Sequence, residues 1–126
     1  MAAAPRPGMS LCVAGAETLR LAVTAFTLGW THSVEHVRWE EDWRVTPAGL
    51  VLDEARVEGS GAGMEPPDGA RLAGGWWTWR PDRPPLPQLL LAASGATGGG
   101  WTLCAAGACR ELGAAPGAPI RLTACG

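Results

Sequence analysis

Two neighbouring stretches of the chain, residues 26–34 and 37–45, carry apolar side chains at nearly every second position. Successive side chains of a β-strand point to opposite faces of a sheet, so this alternation predicts two strands with one apolar face each. Each apolar face includes one ionisable residue, His32 in the first strand and Glu41 in the second. We therefore predict a central β-hairpin over residues 26–45.

Shorter apolar runs between glycine and proline residues predict the other strands. Their expected positions are 10–14, 18–23, 50–57, 75–80, 89–93, 101–105, 108–112 and 120–125. Many short strands separated by such breakers are typical of all-β proteins. The length of 126 residues fits one domain. We predict a disordered N-terminal lead over 1–9, followed over 10–126 by a single antiparallel all-β domain, a sandwich or a barrel-like arrangement of short strands.

The charge and the hydropathy of the chain exclude several classes of protein. The formal net charge is −2, and every basic side chain apart from two histidines is an arginine. These arginines do not cluster into the basic footprint that nucleic-acid binding requires. No apolar run approaches the ~18–20 residues of a transmembrane helix, and the first residues lack the continuous apolar segment of a secretory signal. The chain is therefore expected to be cytoplasmic, or exported by a signal that lies outside this sequence.

His32 and Glu41 are the first candidates for chemistry. A two-residue loop at Glu35 and His36 would place His32 opposite Trp39, which makes His32 and Glu41 diagonal neighbours on the inner face. A buried carboxylate is costly without a partner, so we expect Glu41 to be buried and hydrogen-bonded to His32. Two interpretations stay open. The pair is either a hydrogen-bonded element of the core or an acid–base or ligand-anchoring site, because perturbed ionisable pairs gather at such sites.

Residues 32–36, HSVEH, also match the H-x-x-E-H motif of inverted zinc proteases. That motif requires a helix that brings both histidines to one face, whereas the flanking residues alternate as strands do. We therefore predict no metal site, no cofactor and no enzymatic activity. A small hydrolase that uses His32 and Glu41 is the least favoured alternative.

Glycine and tryptophan residues supply two further candidates for binding. The loop GSGAGM, residues 59–64, could cradle an anion with its backbone amides, or it could form a tight turn that needs positive φ angles. Trp76, Trp77 and Trp79 lie on one predicted strand, where their rings could stack on sugar rings or fill the core. Both interpretations stay open for each feature.

The four cysteines permit two disulfides in an oxidising compartment. A two-residue turn at residues 106–107, Ala-Gly, would place Cys104 directly opposite Cys109, because glycine suits the positive φ that such turns require. If the protein is exported, this pair is expected to bond. Cys12 and Cys125 would then form a second bridge between the terminal strands.

The run THSVE at residues 31–35, the acid Glu41 and the GAG sequence at residues 61–63 follow one another along the chain. In this combination the sequence, from about Leu11 onward, resembles a bacterial family known as domain of unknown function 1850. His36 is not part of the family pattern, which weakens the zinc interpretation further. The family has no established activity.

The resemblance implies a small exported or membrane-anchored protein, often encoded beside genes of tripartite ATP-independent periplasmic (TRAP) transporters, especially of the TAXI type. It implies an accessory role in solute uptake, with a permease or solute-binding subunit as partner and a periplasmic or membrane-associated location, although this sequence shows no anchor. The alternative is a module that binds a small molecule or carbohydrate. The predicted binding residues lie near the hairpin turn and the glycine loop: His32, Ser33, Glu35, Glu41, Gly61, Ala62, Gly63 and Met64.

Overall fold

The computed structural model describes residues 10–15, 18–32, 36–59, 67–93 and 100–126, and the regular structure among them is entirely β-strand. The strands are β1 (Ser10–Ala14), β2 (Thr18–Leu21), β3 (Ala25–Thr31), β4 (Arg38–Thr46), β5 (Gly49–Glu58), β6 (Arg71–Ala73), β7 (Trp76–Trp79), β8 (Leu89–Ala93), β9 (Trp101–Ala105), β10 (Ala108–Leu112) and β11 (Gly117–Cys125). Of these, the sequence did not predict β6. The predicted lead over 1–9 lies outside the described residues. Nowhere in the described ranges is there a helix long and apolar enough to cross a membrane.

The described strands form two antiparallel sheets. One has four strands in the order β2-β1-β11-β8, and the other has seven in the order β10-β9-β3-β4-β5-β7-β6. The first two and the last of the described strands therefore lie in the smaller sheet, together with β8. The all-β prediction is confirmed, and of its two forms the structure shows the sandwich and not a closed barrel.

The hydrophobic core lies between the two sheets. Side chains at alternate strand positions point inward, as the period-two pattern requires. The smaller sheet contributes Leu11, Val13, Leu91, Ile120 and Leu122, and the larger sheet contributes Phe26, Leu28, Trp43, Val45, Leu50, Leu52 and Leu103. Full burial of one such side chain stabilises the fold by about 1.5–3 kcal/mol, so this cluster is the main favourable contribution to folding.

The register of the central hairpin differs from the prediction. The structure pairs Trp30 with Trp39, and the backbone N–H of His32 donates to the carbonyl oxygen of Val37 at 2.9 Å. Residues 33–36 therefore connect the strands, so the predicted two-residue loop is wrong. The turns that form two-residue loops need positive φ at one or both central positions, which favours glycine or asparagine, and the expected loop of Glu35 and His36 has neither residue. The observed register instead sets aromatic rings opposite each other, which stabilises the pairing.

The alternation of buried residues along β5 shifts by one position halfway along the strand. Leu50 and Leu52 are buried in its first half, and Ala55 and Val57 in its second half. An alternating strand cannot bury both pairs on one side unless one extra residue intervenes. The register between β4 and β5 shifts by one residue at Asp53, which is therefore a β-bulge that resets the alternation.

There are two disulfides, one within each sheet, and each joins two neighbouring strands. Cys104 lies directly opposite Cys109, and the turn at residues 106–107 has positive φ at both positions, 52° and 79°, so the predicted hairpin register is confirmed. The Cα atoms of this bonded pair are 4.0 Å apart, slightly closer than the usual ~4.4–6.8 Å. The second disulfide joins Cys12 to Cys125, with Cα atoms 5.9 Å apart, and ties the first strand to the last.

The proline-rich segment 80–88 carries the chain from β7 in one sheet to β8 in the other. On the way, Leu86 exchanges two backbone hydrogen bonds of 2.8 Å with Leu50. The approach is close because the neighbouring residue is Gly49, at φ 129°. A Cβ atom there would run into the carbonyl of Leu86. The glycine at the start of β5 thus lets the connecting segment lie against the larger sheet.

Candidate functional site

Part of the inner face of the larger sheet lies outside the core between the sheets. The strand register places Trp30, Trp39 and Trp77 in one row across the sheet, and Trp79 in the next row. These four side chains are partly exposed and do not belong to the core cluster. Trp101, at the end of the same row, packs against the edge of the core. We call Trp30, Trp39, Trp77, Trp79 and Trp101 the tryptophan surface.

Ring contacts run across the tryptophan surface from strand to strand. The ring centroids of Trp101 and Trp30 are 5.0 Å apart, those of Trp30 and Trp39 are 6.0 Å apart and stacked, and those of Trp39 and Trp79 are 6.2 Å apart and perpendicular. The last two residues lie on β4 and β7, so their rings meet above the intervening strand β5. There they shield Ala55, which is 4% exposed. The rings of Trp101, Trp30, Trp39 and Trp79 thus form a continuous aromatic layer across the sheet.

Two indole N–H groups of this surface have no acceptor. Within the described part of the chain, the Nε1 atoms of Trp39 and Trp77 are buried and lack a hydrogen-bond partner. A buried donor without an acceptor costs about 1–3 kcal/mol, so such groups are rare in proteins and call for an explanation. The tryptophan surface therefore has hydrogen-bonding capacity that the fold itself does not use.

Glu41 lies where the tryptophan surface meets the core, between Trp39 and Trp43 on the inner side of β4. The Nε1 group of Trp43 donates to its Oε1 atom at 3.2 Å. Burial raises the pKa of Glu41, and neither this hydrogen bond nor the positive charge of Arg83 compensates for the lost hydration. A poorly hydrated carboxylate at the edge of an aromatic surface is a favourable acceptor for the hydroxyl or amine of a ligand.

The predicted contact between His32 and Glu41 is wrong. His32 lies at the level of Val37, whereas Glu41 lies opposite Leu28. The two residues are therefore separated by four positions along the strand, about 13 Å at ~3.3 Å per residue. His32 also lies just beyond the end of β3, where its side chain is exposed and not buried as predicted. The shift of the hairpin register explains both errors.

The remaining predicted site residues, Ser33, Glu35, Gly61, Ala62, Gly63 and Met64, lie outside the described residues. The strand ends that flank them are described. β3 ends at Thr31, β4 begins at Arg38 and β5 ends at Glu58. Because Trp39 pairs with Val57, these three ends lie at one end of the sheet. The row of tryptophans is one residue from that end, so both predicted segments leave the sheet next to the tryptophan surface.

The outer face of the same sheet carries charges that are already paired. Arg56 donates from Nε to Glu40 at 2.9 Å, and from Nη1 to Asp42 at 2.8 Å and Glu54 at 3.2 Å. The hydroxyl of Thr27 donates to Asp42 at 2.8 Å. Because these groups satisfy one another across three strands, the outer face is best explained as a stabilising network. Among the described residues, no group of three or more His, Cys, Asp or Glu side chains could hold a metal ion.

Sequence reasoning assigned Trp30 and Trp39 to the inner face, which is correct, but not to a binding surface. The signal that could have found them is the number of aromatic residues. Two of the three tryptophans in residues 76–79, WWTW, lie on this face with Trp30 and Trp39, and all four remain partly exposed. An apolar surface that remains uncovered often marks a site of interaction.

Comparison with known proteins gives one match. Residues 26–112, more than half of the chain, match the model of a family described as Domain of unknown function (DUF1850). The matched range contains all five residues of the tryptophan surface and Glu41. No curated protein and no solved structure gives a significant match.

Proposed function

Because the chain belongs to the family Domain of unknown function (DUF1850), we propose that it is a non-enzymatic accessory protein of a TAXI-type TRAP transporter. This is the role that the sequence resemblance implies, and the partner would be the permease or the solute-binding subunit. The two disulfides support an oxidising compartment such as the periplasm.

The observation that carries the proposal is the partly exposed tryptophan surface. Tryptophan is strongly enriched among the residues that dominate the binding energy of protein interfaces. Here Trp30, Trp39 and Trp79 pack against one another, so part of the side-chain entropy that binding costs is already lost in the free protein. Glu41 and Arg83 add charges at the border of the surface.

Affinity purification from cells that contain the transporter tests the role. A tagged wild-type protein is expected to retain a permease or solute-binding subunit, and Trp79→Ala, which removes a ring from the surface, is expected to lose it. Trp76→Ala is the matched control, because Trp76 lies on the same strand with its side chain on the opposite face. Melting temperatures of both variants show that each is folded. If the wild-type protein recovers no transporter subunit, or if Trp79→Ala recovers as much as Trp76→Ala, the accessory role through this surface is wrong.

The second candidate is a module that binds a small molecule or carbohydrate. The unpaired indole N–H groups of Trp39 and Trp77 favour it, because they offer a ligand hydrogen bonds that the fold does not use. The hydrolase alternative has no comparable support, since His32 and Glu41 are not neighbours. A binding module predicts a change of tryptophan fluorescence with ligand, and a hydrolase predicts turnover that is lost in His32→Ala.

A further inference from the structure

We infer that the tryptophan surface is a carbohydrate site that takes a neutral oligosaccharide. Sugar rings would stack on the indole rings and exchange hydrogen bonds with Glu41 and with the Nε1 groups of Trp39 and Trp77. The inference rests on the proposed role of this surface as the binding face of the protein. It names the class of ligand, which the accessory role leaves open.

The chemistry of the three polar groups selects the ligand. While it is ionised, the Glu41 carboxylate accepts hydrogen bonds but cannot donate one. The two indole N–H groups donate hydrogen bonds but cannot accept one. A hydroxyl group both donates and accepts, so a polyhydroxylated molecule can satisfy all three. An organic cation would interact with the rings and the carboxylate but offer no acceptor to the N–H groups. An anion would meet the negative charge of Glu41.

The aromatic rings supply the remaining contacts. One face of a pyranose ring presents C–H groups, which pack on an indole face, while its hydroxyls stay at the edge. In the free protein each of the two N–H groups is buried without an acceptor, which is unfavourable. A small rotation of a partly exposed ring that brings its N–H to a sugar oxygen recovers that cost. The site thus gains more from a hydroxylated ligand than from a purely apolar one.

The length of the surface points to an oligosaccharide. From Trp101 on β9 to Trp79 on β7, the ring contacts cross four intervals between neighbouring strands. At ~4.8 Å per interval this is about 19 Å, several times the width of one sugar ring. The rings are not coplanar, since the angles between neighbouring planes are 52°, 8° and 90°. The surface therefore fits a single flexible chain better than the flat face of a crystalline polysaccharide.

Titration of the oxidised protein, followed by tryptophan fluorescence and calorimetry, tests the inference. The probes are cellotetraose, maltotetraose, xylotetraose and mannotetraose, with the monosaccharides, choline and glucuronate for comparison. At least one neutral tetrasaccharide is expected to bind, more tightly than its monosaccharide and more tightly than choline or glucuronate. Choline binding as well as the best sugar, or no response to any tetrasaccharide, would overturn the inference.

Variants that remove only the N–H group separate a functional role from a structural one. Trp39→Phe and Trp77→Phe keep an aromatic ring and are each expected to weaken sugar binding roughly five- to tenfold, the effect of one hydrogen bond. Trp76→Phe, on the opposite face of β7, is expected to bind as the wild type does. Unchanged binding by both surface variants would refute the assigned hydrogen bonds.

Failure of the sugar site is distinct from failure of the accessory role. If no sugar binds but a transporter subunit is still retained in a manner that depends on Trp79, the surface belongs to a protein partner and the carbohydrate inference is wrong. If a sugar binds and no subunit is retained, the carbohydrate inference stands and the accessory role fails.

Discussion

Glu41 and Asp42 are adjacent in the chain, but their side chains lie on opposite faces of the sheet and their pKa values shift in opposite directions. On the inner face, burial raises the pKa of Glu41 above its ordinary value of 4.5. On the outer face, burial alone would raise the pKa of Asp42, but the hydrogen bonds from Arg56 and Thr27 outweigh it and hold this pKa below 3.8. Removal of the Glu41 charge should therefore raise the free energy of unfolding at pH 7, and removal of the Asp42 charge should lower it.

Glu41→Gln is expected to stabilise the protein at pH 7. A carboxyl whose pKa is raised by folding resists ionisation, so its charge opposes folding at neutral pH and has no effect once both states are protonated. The amide keeps the shape of the side chain and still accepts the hydrogen bond from Trp43. Since burial of a polar group costs ~1–3 kcal/mol and Glu41 is only partly buried, we expect a gain of about 0.5–1 kcal/mol. The gain should disappear below about pH 4, near the ordinary pKa.

Asp42→Asn is expected to destabilise the protein at pH 7. A carboxyl group whose pKa is lower in the folded than in the unfolded state stabilises the fold. This stabilisation is complete at pH values above the pKa of the unfolded state, and it is lost as the pH falls through the pKa of the folded state. A buried hydrogen bond to a charged group contributes about 1.5–3 kcal/mol. The side chain of Asp42 is 38% exposed, so screening reduces this toward the ~0.2–1 kcal/mol of surface pairs. We expect a loss of about 1–2 kcal/mol, and a smaller loss in strong acid.

Urea unfolding at pH 3, 4, 5 and 7, monitored by tryptophan fluorescence of the oxidised protein, measures both effects. At about 4 °C per kcal/mol for a chain of this size, thermal unfolding should resolve them as well. Thr27→Val is a control that removes one hydroxyl hydrogen bond to the Asp42 carboxylate and leaves the charges of the protein unchanged. If Glu41→Gln lowers the free energy of unfolding at pH 7, or if its effect does not depend on pH, the account of Glu41 as a poorly hydrated carboxylate is refuted.

The remaining predictions concern the disulfides and one glycine. Replacement of both Cys12 and Cys125 by Ser should cost about 4–5 kcal/mol, because this bond closes nearly the whole chain, whereas the same change at Cys104 and Cys109 should cost only about 2 kcal/mol. Equal losses in the free energy of unfolding of the two double variants, measured with urea, would contradict this prediction. Gly49→Ala should lower the free energy of unfolding by about 2 kcal/mol or more, because its φ is 129° and the new Cβ would meet a backbone carbonyl. A melting temperature within one degree of wild type would show that the connecting segment can move away at no cost.

The sequence alone placed most of the strands, because alternation of apolar and polar residues is a local property of the chain. It also gave the register of the hairpin that joins Cys104 to Cys109, since a two-residue turn with glycine at position 107 leaves no other pairing. The number and the shortness of the strands predicted an antiparallel all-β domain, a sandwich or a barrel-like arrangement, and the structure decided for the sandwich. Where the turn lacked such a residue, between β3 and β4, the predicted register was wrong.

Only the tertiary structure decided which apolar face is covered. Alternation assigns Trp30 and Trp39 to the apolar face of their own strands, but it does not show how far the opposing sheet extends. That depends on contacts between residues distant in the chain, such as β8 joining β11 and not β7. The register of the central hairpin is non-local in the same sense, since cross-strand aromatic pairs fix it. Because of these contacts, Glu41 lies beside tryptophans and not beside His32, and the candidate site could be located only in the folded protein.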